Sequence, residues 1–125
     1  MVVGGYALAL HGHPRYTKDI DIWINPQKDN AKKILRVLDE FGFSDLELYD
    51  NDFLVSGNVI QLGYPPKRID LLTQATGINF NECYEKRIKV DIDNVSINFL
   101  DIENLKKNKQ AVGRLQDLAD IEKLS

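Results

Sequence analysis

Two aspartates stand two positions apart in the segment DIDIWIN, Asp19 and Asp21, inside a run of isoleucines. Aspartate is among the poorest strand formers, yet the alternation of polar and β-branched residues reads as a strand. Side chains alternate across a strand, so both carboxylates leave one face while Ile20, Ile22 and Ile24 leave the other. Residues two apart lie roughly 6.5–7 Å apart along the strand, within reach of one cation. Without a partner the pair would repel, and one acid would tend to hold a proton. A divalent cation relieves that repulsion, and Mg²⁺ (or Mn²⁺) takes one or two carboxylates together with substrate phosphates. The alternative is a solvated face carrying ordinary surface charge.

Asp70 repeats the pattern in RIDLLT, flanked by Ile69, Leu71 and Leu72. Alone, it reads either as a salt-bridge partner of Arg68 or Lys67, or as a third ligand on a neighbouring strand. Three carboxylates on adjacent strands suit a site for in-line phosphoryl transfer, in which metal ions activate the attacking oxygen and hold a triphosphate. Upstream, Gly4-Gly5 precedes a short helix, where backbone N–H groups can approach a phosphate with no Cβ in the way. The loop between that helix and the Asp-x-Asp strand supplies Arg15, Thr17 and Lys18 as candidate phosphate ligands.

Trp23 shares the carboxylate face of its strand, where it either stacks on a base or packs under a helix. His11 and His13 flank Gly12 and read as ordinary histidines at a helix end and in a loop, with a metal role as the alternative.

The elements that must position these side chains follow from spacing and punctuation. The chain opens on a short apolar run and a helix from Tyr6 to about His11, then a loop broken at Pro14. After the Asp-x-Asp strand, Pro26 opens a helix with Ala31, Ile34, Leu35, Leu38 and Phe41 on one face and Gly42 as its stop. NVIQLGY and RIDLLT are short strands, residues 79–87 form a helix, and RIKVDI with VSINFL forms a hairpin around Asp93-Asn94. Asp101 caps a final helical stretch that breaks near Gly113. The sum is one mixed α/β domain over residues 1–125, a small sheet with helices packed on it.

Composition sets the outer bounds. A length of 125 residues with 43% hydrophobic and 28% charged residues is that of an ordinary globular domain. The apolar runs are too short to span a bilayer, and no charged-then-apolar leader is recognised. The single cysteine, Cys83, excludes an internal disulfide and fits a reducing compartment, so a cytoplasmic location is expected. Its helical neighbours suggest a half-buried structural thiol. A net charge of −3 argues against a protein that coats nucleic acid nonspecifically, while leaving room for a local basic patch holding one end of an RNA.

The run VVGGYALALHGHPRYTKDIDIWI resembles the signature of the DNA polymerase beta nucleotidyltransferase superfamily: glycine pair, helix, then Asp-x-Asp. RIDLL is similar to the strand that carries the superfamily's third carboxylate. The tail NLKKNKQAVGRLQDLADIEKL resembles the ending of small bacterial nucleotidyltransferases, including the abortive-infection toxin type. The resemblance implies an α+β nucleotidyltransferase fold, ATP or another nucleoside triphosphate as substrate, and transfer of a nucleoside monophosphate to an acceptor hydroxyl on RNA, protein or a small molecule. Carried over, Gly4 and Gly5 would contact the triphosphate, Asp19 and Asp21 would bind metal, and Asp70 would bind the catalytic metal. Lys109 would contact the triphosphate, and Asp117 would be the family's late acid. The alternatives are a solvated helix lysine at position 109 and plain i,i+3 helix pairs among Arg114, Asp117 and Asp120. Relatives usually carry a further segment before the glycine pair, where this chain has three residues, and the short tail suggests a small acceptor or one presented by a partner chain.

Two rival readings remain. Phosphatases with an aspartyl nucleophile also begin with Asp-x-Asp, but they need a small residue and Thr or Val after the second Asp, where this chain has Ile22-Trp23-Ile24. The other rival is a catalytically weak nucleotide-binding or toxin–antitoxin interaction module of the same fold.

Overall fold

A computed structural model describes residues 1–13, 19–64, 66 and 68–124. Strands β1 (Val2–Val3), β2 (Asp19–Trp23), β3 (Val59–Leu62), β4 (Arg68–Leu72), β5 (Ile88–Ile92) and β6 (Val95–Phe99) form one mixed sheet in the order β3-β4-β2-β1-β6-β5. β2 runs parallel to β4, and β1 runs parallel to β6; the other neighbours are antiparallel. Helices α1 (Gly4–Leu10), α2 (Lys28–Glu40), α3 (Phe80–Glu85), α4 (Ile102–Val112) and α5 (Leu115–Leu124) complete the α+β fold. Among the described residues no helix is long and apolar enough to cross a membrane.

The local reasons are those expected from the sequence. Asp93 and Asn94 both take positive φ, 51° and 66°, the backbone of a two-residue turn that matches strand twist. Asp101 caps α4 by accepting from the Asn104 N–H, and Gly113, at φ 71°, ends that helix in the left-handed conformation. α1 begins two residues earlier than the apolar spacing suggested, because the glycine pair itself forms the first turn. α2 begins at Lys28, two residues past Pro26.

Two apolar clusters lie in the interior. Ile22, Ile24, Ile69 and Leu71 pack with Ala31, Ile34 and Leu38 of α2 and with Phe53, which is fully buried in a short helical turn, Asp50–Phe53. Val3, Ala7, Leu8, Leu100, Leu105 and Leu124 form the other cluster, with Trp23 and Cys83 among them. Cys83 is therefore wholly buried, deeper than the half-burial its helix face suggested, and burial pushes its thiol pKa up. It is an inert core residue.

Candidate active site

β2 and β4 lie side by side in a register that sets Asp21 opposite Asp70 and Asp19 opposite Arg68. With a side-chain period of two, all four project from one face of the sheet, and Ile22 and Ile69 on the other face pack in the cluster with α2. One carboxylate oxygen each from Asp19, Asp21 and Asp70 lies within 4.8 Å of the others. Opposite ligands at ~2.1 Å from a magnesium ion stand ~4.2 Å apart and neighbouring ones ~3 Å apart, so the three carboxylates would draw closer together to share an ion. The donors are all hard oxygens, as Mg²⁺ or Mn²⁺ requires. The residues present fit a divalent cation.

Arg68 already holds two of these acids. Its Nε and Nη2 donate to Asp70 at 2.9 and 3.1 Å, and the same Nη2 donates to Asp19 at 2.7 Å. The sequence offered a choice between Asp70 as salt-bridge partner and Asp70 as third ligand; the fold pairs it with Arg68 and sets it in the cluster of three acids. The bridge to Asp19 as well was not anticipated. The clue was available, since Arg68 precedes Asp70 by two residues and so shares its face.

Asp21 stands apart from that bridge. Burial, then the charges of Asp19 and Asp70, push its pKa up to about 6, against the smaller pull of Arg68 and Arg114. Burial likewise raises the pKa of Asp70, with Asp19 adding to it and Arg68 opposing. Repulsion between the acids therefore survives in the fold as a raised proton affinity.

Gly4 explains why Asp21 can sit where it does. Its φ is +67°, and a Cβ added to it would meet Asp21 Oδ2 at 2.5 Å. Gly5 is buried behind it. Arg15, Thr17 and Lys18 lie outside the described residues. A cavity of about 180 Å³ opens beside Gly4 and Asp21, and Lys109, Arg114 and Asp117 also line it. The fold thus brings Lys109 and Asp117 to the same cavity as Gly4 and Asp21.

Neither helix residue is a solvated one. Lys109 Nζ lies 2.8 Å from Asp120 and 3.6 Å from Asp117, and all three side chains are buried. Asp117 also accepts from Arg114 Nε at 2.7 Å and from the Arg114 backbone N–H at 3.2 Å. Burial alone would raise the Asp117 pKa, but Arg114 and Lys109 hold it below the ordinary carboxylate range. Of the i,i+3 pairs, Arg114–Asp117 forms, whereas Asp120 reaches back to α4 instead.

Trp23 is 2% exposed and meets Phe80 edge-on, ring centroids 5.1 Å apart, so it packs in the core and does not present a face to a base. His11 Nε2 donates to the Leu100 carbonyl at 3.0 Å, tying α1 to the end of β6. Neither described histidine belongs to the acid cluster.

No curated protein matches this chain. A family model does match it, over residues 1–125. That match spans the glycine turn, the Asp-x-Asp strand, the third aspartate and the α4–α5 tail, and the chain belongs to the family described as nucleotidyltransferase of unknown function (DUF6036).

Proposed function

We propose that this chain is a single-domain, metal-dependent nucleotidyltransferase that moves a nucleoside monophosphate from a nucleoside triphosphate to an acceptor hydroxyl. The observation that carries the reading is the placement of Asp19, Asp21 and Asp70 on one sheet face, their ligand oxygens within 4.8 Å, beside a cavity walled by Gly4 and the α4–α5 junction. Asp19 and Asp21 would hold the cation that travels with the triphosphate, and Asp70 would complete the position facing the acceptor. When bound, Mg²⁺ or Mn²⁺ supplies charge neutralisation and a lowered pKa for the attacking hydroxyl.

The chain's own part is positioning and electrostatics. Gly4 leaves its backbone bare where phosphate oxygens approach Asp21. Lys109, Arg114 and Asp117 line the same cavity. The acceptor oxygen bonds to the α-phosphorus, the bond from that phosphorus to the bridging oxygen breaks, and pyrophosphate leaves in line. The hydroxyl proton is drawn off at the Asp70 edge. An RNA end, a protein side chain or a small molecule can each supply the hydroxyl.

One observation favours the second reading, a nucleotide-binding or toxin–antitoxin module with little turnover. Arg68 lies across Asp19 and Asp70, where a second ion would sit. Each labelled nucleoside triphosphate, offered with Mg²⁺ or Mn²⁺ to total RNA, a protein extract and aminoglycosides, separates the two. Label in one fraction names the acceptor class; metal-dependent binding with no transfer to any fraction supports the module.

A further inference from the structure

The cavity beside Gly4 and Asp21 is lined by two cations, Lys109 and Arg114, and the fold holds them in opposite ways. The Lys109 side chain is 5% exposed, and its ammonium is spent on Asp120 and Asp117. Turning it toward a ligand would strip its counter-charge from Asp120, which is completely buried, and an uncompensated buried charge is strongly unfavourable. Arg114 is 73% exposed. Its Nε and Nη2 edge is taken by Asp117, and a guanidinium held along one edge still offers the N–H groups of its other nitrogen. Its charge also reaches Asp21, whose pKa it lowers. Asp117 therefore sits between the two cations, 3.6 Å from Lys109 and 2.7 Å from Arg114.

We propose that Arg114 is the cation that contacts the phosphates in this cavity, and that Lys109 neutralises the buried Asp120 and does not touch nucleotide. The proposal rests on reading the cavity as the triphosphate site, and it departs from the role that family resemblance implied for Lys109. A planar fork suits phosphate oxygens, and a partner anchored in the protein interior removes much of the entropy of ordering a long exposed side chain.

The test titrates inorganic tripolyphosphate with Mg²⁺, and ATP and GTP in parallel, into the full chain by calorimetry. Mn²⁺ alone is titrated as a control for the acid cluster. Arg114→Gln should weaken tripolyphosphate by about tenfold or more, while Mn²⁺ affinity does not fall and the variant stays folded with a lower Tm, because buried Asp117 loses its nearest counter-charge. Lys109→Met should lower Tm sharply. The double variant Lys109→Met with Asp120→Leu removes the buried pair as a unit, so it should recover Tm and bind tripolyphosphate within about threefold of wild type. Unchanged binding in Arg114→Gln overturns the proposal. So does a folded double variant that has lost about tenfold or more, since Lys109 would then touch phosphate. Should the double variant not fold, the Arg114→Gln result decides alone. A wild-type chain that binds Mn²⁺ but neither tripolyphosphate, ATP nor GTP overturns the reading of the cavity itself, and the proposal with it.

Discussion

Replacing Asp21 with asparagine removes the charge that this fold accommodates least easily. Aspartate ordinarily titrates near 3.8, and Asp21 is pushed up to about 6 by burial and by Asp19 and Asp70. The folded state therefore binds its proton more tightly than the unfolded chain does. The associated stability is fully present below about pH 4 and is lost as pH rises through about 6. Taken at face value the difference is worth ~3 kcal/mol, but a half-buried carboxylate shares its field with water, which reduces the penalty at neutral pH to ~1–2 kcal/mol.

Asparagine keeps the shape and carries no charge, so Asp21→Asn should be more stable than wild type by that amount at pH 7.5. For a chain of 125 residues this is a rise in Tm of about 4–8 °C. At pH 4.3 the gap should shrink to about a quarter of that, because folded Asp21 is then protonated in wild type while the unfolded chain is still partly ionised; the two pH values also stand clear of the isoelectric point near 5.3. Thermal melts followed by circular dichroism at both pH values measure the effect. Mg²⁺ with nucleoside triphosphate should then raise the wild-type Tm and barely move the variant. An asparagine variant less stable than wild type at pH 7.5, or a difference that does not change with pH, would refute the account of Asp21 as a repelled acid. Equal ligand-induced shifts in both proteins would remove the metal from this position.

The other predictions follow from neighbouring contacts. Arg68→Met should tighten Mn²⁺ binding in the absence of nucleotide by about tenfold, because one positive charge leaves the acid cluster; it should also lower the metal-free Tm. Unchanged Mn²⁺ affinity by calorimetry would make Arg68 a purely structural ion pair. Gly4→Ala must adopt a left-handed backbone and push the Asp21 carboxylate aside, at a cost of ~1–2 kcal/mol from the backbone alone, read as a lower urea midpoint. A midpoint equal to that of wild type would show that the turn relaxes. Asp70→Asn should keep most affinity for nucleoside triphosphate yet lose turnover by ~10²-fold or more, on the order of ~3 kcal/mol. Wild-type turnover in that variant would leave Asp70 as a partner of Arg68 and nothing more.

Much of the site was legible in the sequence wherever a local rule fixed it. A period of two placed Asp19 and Asp21 on one face and their isoleucines on the other, whatever lay beside the strand. Asp93-Asn94 and the Gly113 stop depended only on backbone conformations that few residues adopt easily, and the Asp101 cap only on a carboxylate that accepts from the N–H three residues on. The helix of residues 28–40 announced itself by the spacing of its apolar face.

Three features had no local signature. β1 is two residues long, too short for any periodicity, and exists because β2 and β6 offer it hydrogen bonds on both sides. The register that sets Asp21 opposite Asp70 joins strands almost fifty residues apart, and only sheet pairing could choose it over a slip that would turn one acid to the opposite face. Lys109 looks like any lysine of a polar helix when read in NLKKNKQ. Its burial comes from the turn at Gly113, which folds α5 back on α4 and delivers Asp120 to its ammonium. The sequence by itself determined which residues carry charge and which face of an element they share. The tertiary structure decided which of those charges meet, because the energy of an ion pair depends on separation and burial, and neither is written in the order of the residues.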